Sequence, residues 1–525
     1  MQPAPAEFLL PSTSSSSVFL KYISIYASST SSNTGDVTTQ DPVAAASWEG
    51  VLDVTTMPEP CLQIPAAMAL VGVKAQTISV QGSEDCLYLN VFTPKPGDGG
   101  NLPVMVWIHG GGFYFGSARE YLPHVLLNQQ IVLVVIQYRL SVMGFLSTDD
   151  SVIPGNFGLK DQTLALQWVQ RNIHNFGGDK NRVTIFGESA GGASVHFQML
   201  TPKAKGLFSR AIMQSGTAVC PWALSRSHAD TAQRIARAAG CDSVHDSNKL
   251  LKCLKDADAD KLTSIAQEIM DWYFLPIRLT ARIDGDYLPE EPAVLLREGR
   301  FHQVPVITGV TQHEGGLFAL PLYLQDSLRS SLETNFPVTG PASVQTTDDT
   351  EDPEGIALKL YHHYLGQVKF DLPRRDNTIE LMSDRHFKIC HDWTSEHHAK
   401  HQAAKTYRYE LKHHAELSTT DFFGIDFDPP CKFISGILSH MTASGGFSYR
   451  NPTPDDSLGF TWSPATDDNL QSLILTPTPF MEADNRRQVR KFHASLSTKV
   501  NEGLHPHLVQ QLDQPSRERD AQDEL

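Results

Sequence analysis

The sequence feature that most constrains the fold is the stretch 183–192, VTIFGESAGG. Apolar and β-branched residues lead into Gly-x-Ser-x-Gly, and residues 193–200 then have the composition of a helix. A strand, a sharp turn and a helix in this order predict a nucleophile elbow, in which the backbone at Ser189 is strained and its hydroxyl is exposed above a sheet. A tight structural turn is the alternative, because a bare Gly-x-Ser-x-Gly is frequent by chance.

A second glycine-rich turn precedes this stretch. The apolar residues 104–108 predict a short strand that ends at His109 and the glycines at 110–112. Consecutive glycines allow backbone N–H groups to turn into a cavity, which is how an oxyanion hole forms when such a loop faces the elbow. The alternative is a flexible loop without a catalytic role.

Strands and helices alternate around Ser189. Helix periodicity covers residues 158–176, and strands are predicted at 84–92, 104–108, 131–137, 211–214, 304–309 and 405–411. This alternation predicts an α/β fold with a large, mostly parallel central sheet and helices on both faces. Residues 221–300 are more helical and polar, which favours a helical cap, and residues 338–355 are expected to form a surface loop.

Length and charge restrict the organisation and the partners. The 525 residues favour one large domain at 48–495, after a poorly ordered or diverged N-terminal segment at 1–47 and before a polar C-terminal tail at 496–525. A net charge of −16 makes nucleic acid an unsuitable partner. No apolar run approaches the roughly 20 residues of a membrane helix, so we expect no membrane span.

The seven cysteines are few for a disulfide scaffold, but four of them bracket loops. Cys61 and Cys86 enclose one loop, and Cys241 and Cys253 enclose another. Each pair, if oxidised, would stabilise the fold by roughly 3 kcal/mol and would imply an oxidising compartment. Buried thiols are the alternative. The other cysteines have no evident partner: Cys220, Cys390 and Cys431.

Several motifs occur together in the order 83–91 SEDCLYLNV, 109–113 HGGGF, 158–162 GLKDQ, 176–179 FGGD and 187–192 GESAGG. Jointly they resemble the type-B carboxylesterase/cholinesterase family of α/β-hydrolases, and in detail they are similar to arthropod carboxylesterases. The resemblance runs from about residue 48 to residue 492. It implies an α/β-hydrolase fold with a helical cap, and an esterase that needs no cofactor and no metal.

The resemblance also implies roles for individual residues. By position, Ser189 is the nucleophile and Glu314, within GVTQHEG at 309–315, is the acid of the triad. A serine hydroxyl is a poor nucleophile until an imidazole takes its proton, and a carboxylate must hold that imidazole in one tautomer. The implied oxyanion hole consists of the N–H groups of Gly111, Gly112 and Ala190. The implied disulfides are Cys61–Cys86 and Cys241–Cys253.

The histidine of the triad is where the sequence departs from the family. It must follow Glu314, and His440, in GILSH at 436–440, resembles the Gly-Val-x-His segment of the family. The acidic and aromatic continuation expected after it is absent, and the further helix of the family has no counterpart in this sequence. We predict that His440 is the base. His413 and His414, directly after the strand predicted at 405–411, are the alternatives.

The prediction for function is a carboxylic-ester hydrolase with a Ser-His-Glu triad and a covalent acyl-enzyme, acting on small to medium apolar esters. Choline esters are disfavoured, because no Trp lies between Cys61 and Cys86 to hold a quaternary ammonium by cation–π contact. The alternative is a catalytically impaired or non-catalytic cholinesterase-like isoform that lacks a segment after His440.

The expected location is the secretory pathway, either extracellular or in the lumen of the endoplasmic reticulum. Disulfides would require an oxidising compartment. Residues 522–525, QDEL, resemble a retention signal of the endoplasmic reticulum. Residues 1–11 lack the basic and apolar regions of a signal peptide.

Overall fold

A computed structural model describes residues 19–24, 40–45, 50, 54, 56–65, 79–97, 99–401, 404–413 and 461–508. Four features singled out in the sequence lie outside the described residues: His414, Cys431, His440 and the motif at 522–525.

A ten-stranded sheet forms the centre of the fold, in the order β1-β2-β4-β3-β5-β6-β7-β8-β9-β10. The strands are β1 (Phe19–Ser24), β2 (Tyr88–Thr93), β3 (Leu102–Ile108), β4 (Val132–Ile136), β5 (Gly178–Glu188), β6 (Arg210–Gln214), β7 (Val306–Thr311), β8 (Thr406–Leu411), β9 (Ser472–Leu475) and β10 (Phe480–Glu482). Neighbouring strands from β4 through β9 are parallel, and β1, β2 and β10 pair antiparallel at the two edges. The predicted α/β-hydrolase fold with a mostly parallel sheet is confirmed.

Both faces of the sheet are covered. Along β3, Val104, Val106 and Ile108 enter one hydrophobic cluster, and the alternate residues Met105 and Trp107 enter another. Successive side chains of a strand point to opposite faces, so the two clusters lie on the two sides of the sheet. A parallel sheet buried on both faces requires strands that are apolar throughout, as the predicted strands are.

Helices occupy the connections. They are α1 (Ser141–Phe145), α2 (Phe157–Asn172), α3 (Ala190–Leu200), α4 (His228–Ala239), α5 (Ser247–Lys255), α6 (Ala259–Glu268), α7 (Pro292–Arg297), α8 (Gly316–Leu324), α9 (Asp326–Thr334), α10 (Phe336–Ser343), α11 (Pro353–Leu365), α12 (Arg375–Ser383), α13 (Ile389–His401), α14 (Arg487–Ala494) and α15 (Lys499–Leu504). A π-helix, Asp384–Lys388, joins α12 to α13. The predicted helical region after β6 contains α4 to α7, and a second set, α8 to α13, fills the connection from β7 to β8.

The prediction of a surface loop at 338–355 is wrong. Much of this stretch is buried, and it contains most of α10 and the first residues of α11. Pro353 occupies the first turn of α11, where its fixed φ favours a helix and its missing N–H costs nothing. Pro353 and the capping residue Asp352, whose carboxylate accepts from Gly355 N, therefore mark the start of a helix here.

Described elements lie within both of the segments predicted at 1–47 and 496–525. Within 1–47, β1 pairs with β2 in register from Phe19 opposite Thr93 to Ser24 opposite Tyr88. Beyond residue 495, α15 packs on α7, where a Cβ on Gly503 would lie 2.6 Å from Ala293 Cβ. Both short elements depend on pairing with a distant part of the chain, which local composition does not reveal.

Three disulfides are present in the described residues. Two are the pairs that the family resemblance implies, Cys61–Cys86 and Cys241–Cys253. The third, Cys220–Cys390, joins cysteines for which the sequence offered no partner. Its two cysteines are 170 residues apart, so no single loop marks them as a pair.

Candidate active site

The nucleophile elbow forms between β5 and α3. Ser189 has φ 56° and ψ −121°, a backbone conformation that L-residues rarely adopt outside functional turns. It is partly exposed, although its neighbours Glu188 and Ala190 are buried. The backbone passes close to its surroundings, because a Cβ on Gly191 would lie 2.0 Å from the carbonyl oxygen of Ile108. The strand, turn and helix therefore present Ser189 at the carboxyl edge of the sheet.

Backbone contacts hold this strained turn on both sides. The Ser189 N–H donates to the Gln214 carbonyl at 2.8 Å, and the Ser189 carbonyl accepts from Ala193 N at 2.9 Å. The Ser189 side chain does not cap α3, so it satisfies none of the N–H groups of the first helical turn, which begins at Ala190. The start of the helix thus faces the site with unused donors and partial positive charge.

The glycine loop lies against the elbow. A Cβ on Gly110 would be 2.6 Å from the Glu188 carbonyl oxygen and 3.2 Å from Ser189 Cβ. Gly111 has φ 104° and Gly112 has φ 61°, and both are partly exposed. At Gly111 a Cβ would lie 1.9 Å from the Phe115 carbonyl oxygen, so only glycine fits. The implied oxyanion donors, Gly111, Gly112 and Ala190, therefore belong to two segments that meet at Ser189.

His109, at the start of this loop, is neutral and structural. Burial lowers the pKa of His109 to about 4. Its Nδ1–H donates to the Gly110 carbonyl at 2.9 Å, and its ring stacks on Tyr138 with centroids 4.4 Å apart. The Tyr138 hydroxyl donates in turn to the His109 carbonyl at 2.8 Å. These contacts fix the direction in which the loop leaves β3.

Glu314, the implied acid, lies just after β7 at the same edge. Its carboxylate oxygen Oε1 accepts hydrogen bonds from Thr311 N at 2.7 Å and Ser215 Oγ at 2.5 Å. The side chain is 1% exposed. Burial raises the pKa of Glu314 to about 7, against the opposing effect of the Ser215 and Thr311 hydrogen bonds and of the Lys388 ammonium. Glu314 therefore gains its negative charge as the pH rises through about 7.

A second buried carboxyl group, Glu188, lies beside the first. Burial, followed by the charge of Glu314, raises the pKa of Glu188 to about 8. A Cβ on Gly110 would lie 2.8 Å from Glu188 Oε2, so this side chain fills the space beneath the glycine loop. Because the two carboxyl groups repel each other when both are charged, and because Glu314 accepts the hydrogen bonds from Ser215 and Thr311, a single negative charge on the pair is favoured on Glu314.

For the predicted base, the strands show only the direction in which the chain leaves β8. The last residue of β8, Leu411, pairs with Thr311 of β7, and Gln312 N donates to the Leu411 carbonyl at 3.0 Å. The chain therefore leaves β8 at the same edge as Glu314. His413 is exposed, and His440 lies outside the described residues.

Other histidines that follow Glu314 are engaged elsewhere. His386 Nε2 is 3.0 Å from the Ser343 carbonyl, and burial lowers the pKa of His386 to about 3. His391 Nδ1 is 2.5 Å from Thr308 Oγ1 in the interior.

Two residues of the acid's surroundings were missed in the sequence. Ser215 directly follows β6, and its position after a strand at the carboxyl edge is a signal that could have identified it. Lys388 ends the π-helix and donates to the Gln312 carbonyl at 2.7 Å. It comes from a segment distant in sequence, which carried no signal.

Metal and membrane sites are not seen in the part of the chain that the structure describes. No group of three or more His, Cys, Asp or Glu side chains there is placed to hold a metal ion. Among the same residues, no helix combines the length and apolar character needed to cross a bilayer.

Comparison with known proteins agrees with this geometry. Residues 31–441 match the carboxylesterase family. Venom carboxylesterase-6 of Apis mellifera is 32% identical over 424 residues, which cover 77% of this chain and 74% of that protein. Esterase FE4 of Myzus persicae is 36% identical over 398 residues, 73% of this chain and 68% of its own length. Pyrethroid hydrolase Ces2a of Mus musculus is 39% identical over 350 residues, which cover 62% of this chain and 60% of that protein. With this elbow, this sheet and these relatives, the chain belongs to the carboxylesterase family.

Proposed function

We propose that the protein hydrolyses carboxylic esters through a covalent acyl-enzyme, with Ser189 as nucleophile, His440 as base and Glu314 as acid. The observation that carries the proposal is the convergence of a strained, partly exposed Ser189, a glycine loop and a buried carboxylate at one edge of the sheet. This constellation is what acyl transfer needs before a substrate arrives.

In the proposed reaction, the Ser189 hydroxyl attacks the ester carbonyl while His440 takes its proton. The N–H groups of Gly111, Gly112 and Ala190 bind the oxyanion of the tetrahedral intermediate, where each donor is worth roughly 3 to 4 kcal/mol. The imidazolium then returns the proton to the departing alcohol. Water, activated by the same imidazole, releases the acid and restores Ser189.

Glu314 would orient the imidazole and stabilise its charged form. To do so it must be ionised, and its hydrogen bonds from Thr311 and Ser215 favour that state. A neighbouring imidazolium would favour it further. Burial keeps the carboxylate dry, so that its attraction for the imidazolium is not weakened by water.

A buried aliphatic side chain beside the implied oxyanion hole supports the proposal of apolar esters as substrates. Ile277 Cδ1 would be 3.6 Å from a Cβ on Gly112, so a buried aliphatic side chain borders the implied oxyanion hole. An ester whose carbonyl entered this hole would place its substituents beside this wall. We therefore propose small to medium apolar esters, and we expect choline esters to be poor substrates.

The three disulfides support function in an oxidising compartment. Disulfides persist in secreted proteins and in the lumen of the endoplasmic reticulum, and they are rare in the cytosol. We propose that the protein folds and works within or beyond the secretory pathway.

Hydrolysis of p-nitrophenyl butyrate tests the proposal. The purified protein is expected to release p-nitrophenol with a burst that corresponds to one acyl group per chain, followed by slower turnover. The alternative, an impaired isoform, is favoured by one observation, the end of the family match at residue 441, directly after His440. A cooperatively folded protein without burst or turnover would establish that alternative.

A further inference from the structure

One short segment contacts both the nucleophile and the acid. It follows β6 and spans residues 215–220. A Cβ on Gly216 would lie 2.0 Å from the Ser189 carbonyl oxygen, so the segment packs directly on the elbow. Ser215 Oγ donates to Glu314 Oε1 at 2.5 Å, and Ser215 N donates to the Gly309 carbonyl at 2.9 Å. A displacement of the segment would therefore move the surroundings of Ser189 and Glu314 together.

The far end of this segment is attached to α13. Cys220 and Cys390 form a disulfide, and each is 2% exposed. Thr394 Oγ1 donates to Thr217 Oγ1 at 3.1 Å. Cys390 and Thr394 are four residues apart and share one face of α13, so the segment is held to that face by a covalent bond and a buried hydrogen bond.

A third contact follows the same face. Ala218 N donates to His196 Nδ1 at 3.1 Å, and His196 Nε2 is 3.2 Å from His398 Nε2. Because Nδ1 of His196 accepts, its Nε2 carries the proton and donates to His398, four residues beyond Thr394. The nucleophile helix α3, the segment 215–220 and α13 are thus joined in one layer.

The beginning of α13 also determines a charge near the acid. Cys390 lies two residues after Lys388, the end of the π-helix, whose ammonium donates to the Gln312 carbonyl at 2.7 Å. That positive charge favours the ionised form of Glu314. The disulfide consequently connects two segments that supply polar neighbours to Glu314, one with Ser215 and the other with Lys388.

We propose that the Cys220–Cys390 disulfide is a positioning element of the active site, which fixes the segment 215–220 and the start of α13 around Glu314. The role rests on the proposed function of Ser189 and Glu314. The other two disulfides differ, because they close local loops with sequence separations of 25 and 12 residues.

The test compares two double variants. Cys220→Ala with Cys390→Ala should lower kcat for p-nitrophenyl butyrate about 10-fold to 100-fold with KM changed less than about 2-fold, because misplacement of catalytic groups costs turnover. The acid limb of its pH profile should move to higher pH, since a weakened Ser215 hydrogen bond stabilises the Glu314 carboxylate less. The matched control, Cys241→Ala with Cys253→Ala, should keep the kcat and the pH profile of the wild type.

A milder variant covers the case in which the double variant does not fold. Thr394→Val keeps the shape of the side chain and removes the hydroxyl that reaches Thr217, and it should lower kcat in the same direction by about 2-fold to 5-fold. Unchanged kcat and pH profiles in folded Cys220→Ala/Cys390→Ala would overturn the proposal.

Hydrogen exchange gives a readout that does not need activity. Amides of peptides covering 210–222 and 309–316 should exchange faster in the Cys220→Ala/Cys390→Ala variant than in wild type, and at the wild-type rate in the control. This comparison separates the two proposals, since a wild type without turnover would contradict the esterase and leave the positioning role to be decided by exchange. Equal exchange in all three proteins, or free thiols at Cys220 and Cys390 in unreduced wild type, would refute the positioning role.

Discussion

At the carboxyl edge of the sheet, the strands β5 to β7 and the strand β8 continue very differently. Ser189, Ser215 and Glu314 lie within three residues of the ends of β5, β6 and β7. The next described strand after β8, which ends at Leu411, is β9, which begins at Ser472. The first half of the edge places functional groups by local backbone geometry. The second carries the proposed base on a long connection, where local rules give no position.

The largest expected effect lies in the first half. Ser189→Ala should lower kcat for p-nitrophenyl butyrate by about 10⁶-fold, because the variant lacks the hydroxyl that we propose as the nucleophile. The melting temperature should stay close to that of the wild type, which differential scanning calorimetry checks. Ser209→Ala, at the amino end of β6, is the matched control and should retain activity. Wild-type turnover in Ser189→Ala would show that Ser189 is not the nucleophile.

The second prediction compares histidines of the other half. His440→Ala should lower kcat by about 10⁴-fold or more, as loss of a triad base does. His413→Ala should leave kcat within about 2-fold, because His413 is exposed at the end of β8. Steady-state kinetics of both variants at pH 8 decide between them. A loss of kcat in His413→Ala but not in His440→Ala would place the base directly after β8. The proposed difference between β5 to β7 and β8 would then be wrong.

The third prediction concerns the glycine loop. Gly111→Ala should lower kcat by about 10²-fold to 10³-fold, because its Cβ would meet the Phe115 carbonyl oxygen at 1.9 Å and displace the proposed oxyanion donors. Gly206→Ala is a suitable control, since Gly206 also has a positive φ of 78° but no atom within 4 Å of the added Cβ. Gly206→Ala should lower the free energy of unfolding through backbone strain but keep the kcat of the wild type. Equal kcat losses in both variants would assign the effect to strain.

The smallest effect is on stability and depends on pH. Burial, followed by the charge of Glu314, raises the pKa of Glu188 from its ordinary value of 4.5 to about 8, so the folded protein retains a proton that the unfolded chain releases between these values. The wild type therefore loses stability as the pH rises from about 4.5 to 8. Glu188→Gln should raise the free energy of unfolding by about 1–3 kcal/mol at pH 8 and leave it unchanged at pH 4.

Urea unfolding at the two pH values measures this difference. Glu59→Gln, an exposed carboxyl on the surface, is the control and should show no dependence of this kind. The same stabilisation by Glu188→Gln at pH 4 and pH 8 would indicate a packing effect and contradict the role of burial.

The sequence predicted the elements whose signal is local. The strands β3 to β7, the elbow at Ser189 and the glycine loop are encoded by apolar runs and by glycines that few other residues could replace. The resemblance implied Glu314, which the structure places at the same edge as Ser189. Strands and site residues of this kind follow from residues close to them in sequence.

The features that the sequence did not predict depend on contacts between distant parts of the chain. β1 exists through pairing with β2, and the Cys220–Cys390 disulfide joins cysteines 170 residues apart. Ser215 acquires its role only because β7 brings Glu314 beside it. In 338–355, prolines and polar side chains were read as signs of a loop, although Pro341 lies within α10, Pro353 starts α11 and several of the polar side chains are buried.

The most direct test of the central claim is covalent labelling with diethyl p-nitrophenyl phosphate, followed by intact-mass and peptide mass spectrometry. We expect one diethylphosphoryl group per chain, located on Ser189. We also expect much slower labelling in His440→Ala and an unchanged rate in His413→Ala. A protein that is folded but takes up no label, or takes it up elsewhere, would contradict the claim that the elbow carries an activated serine.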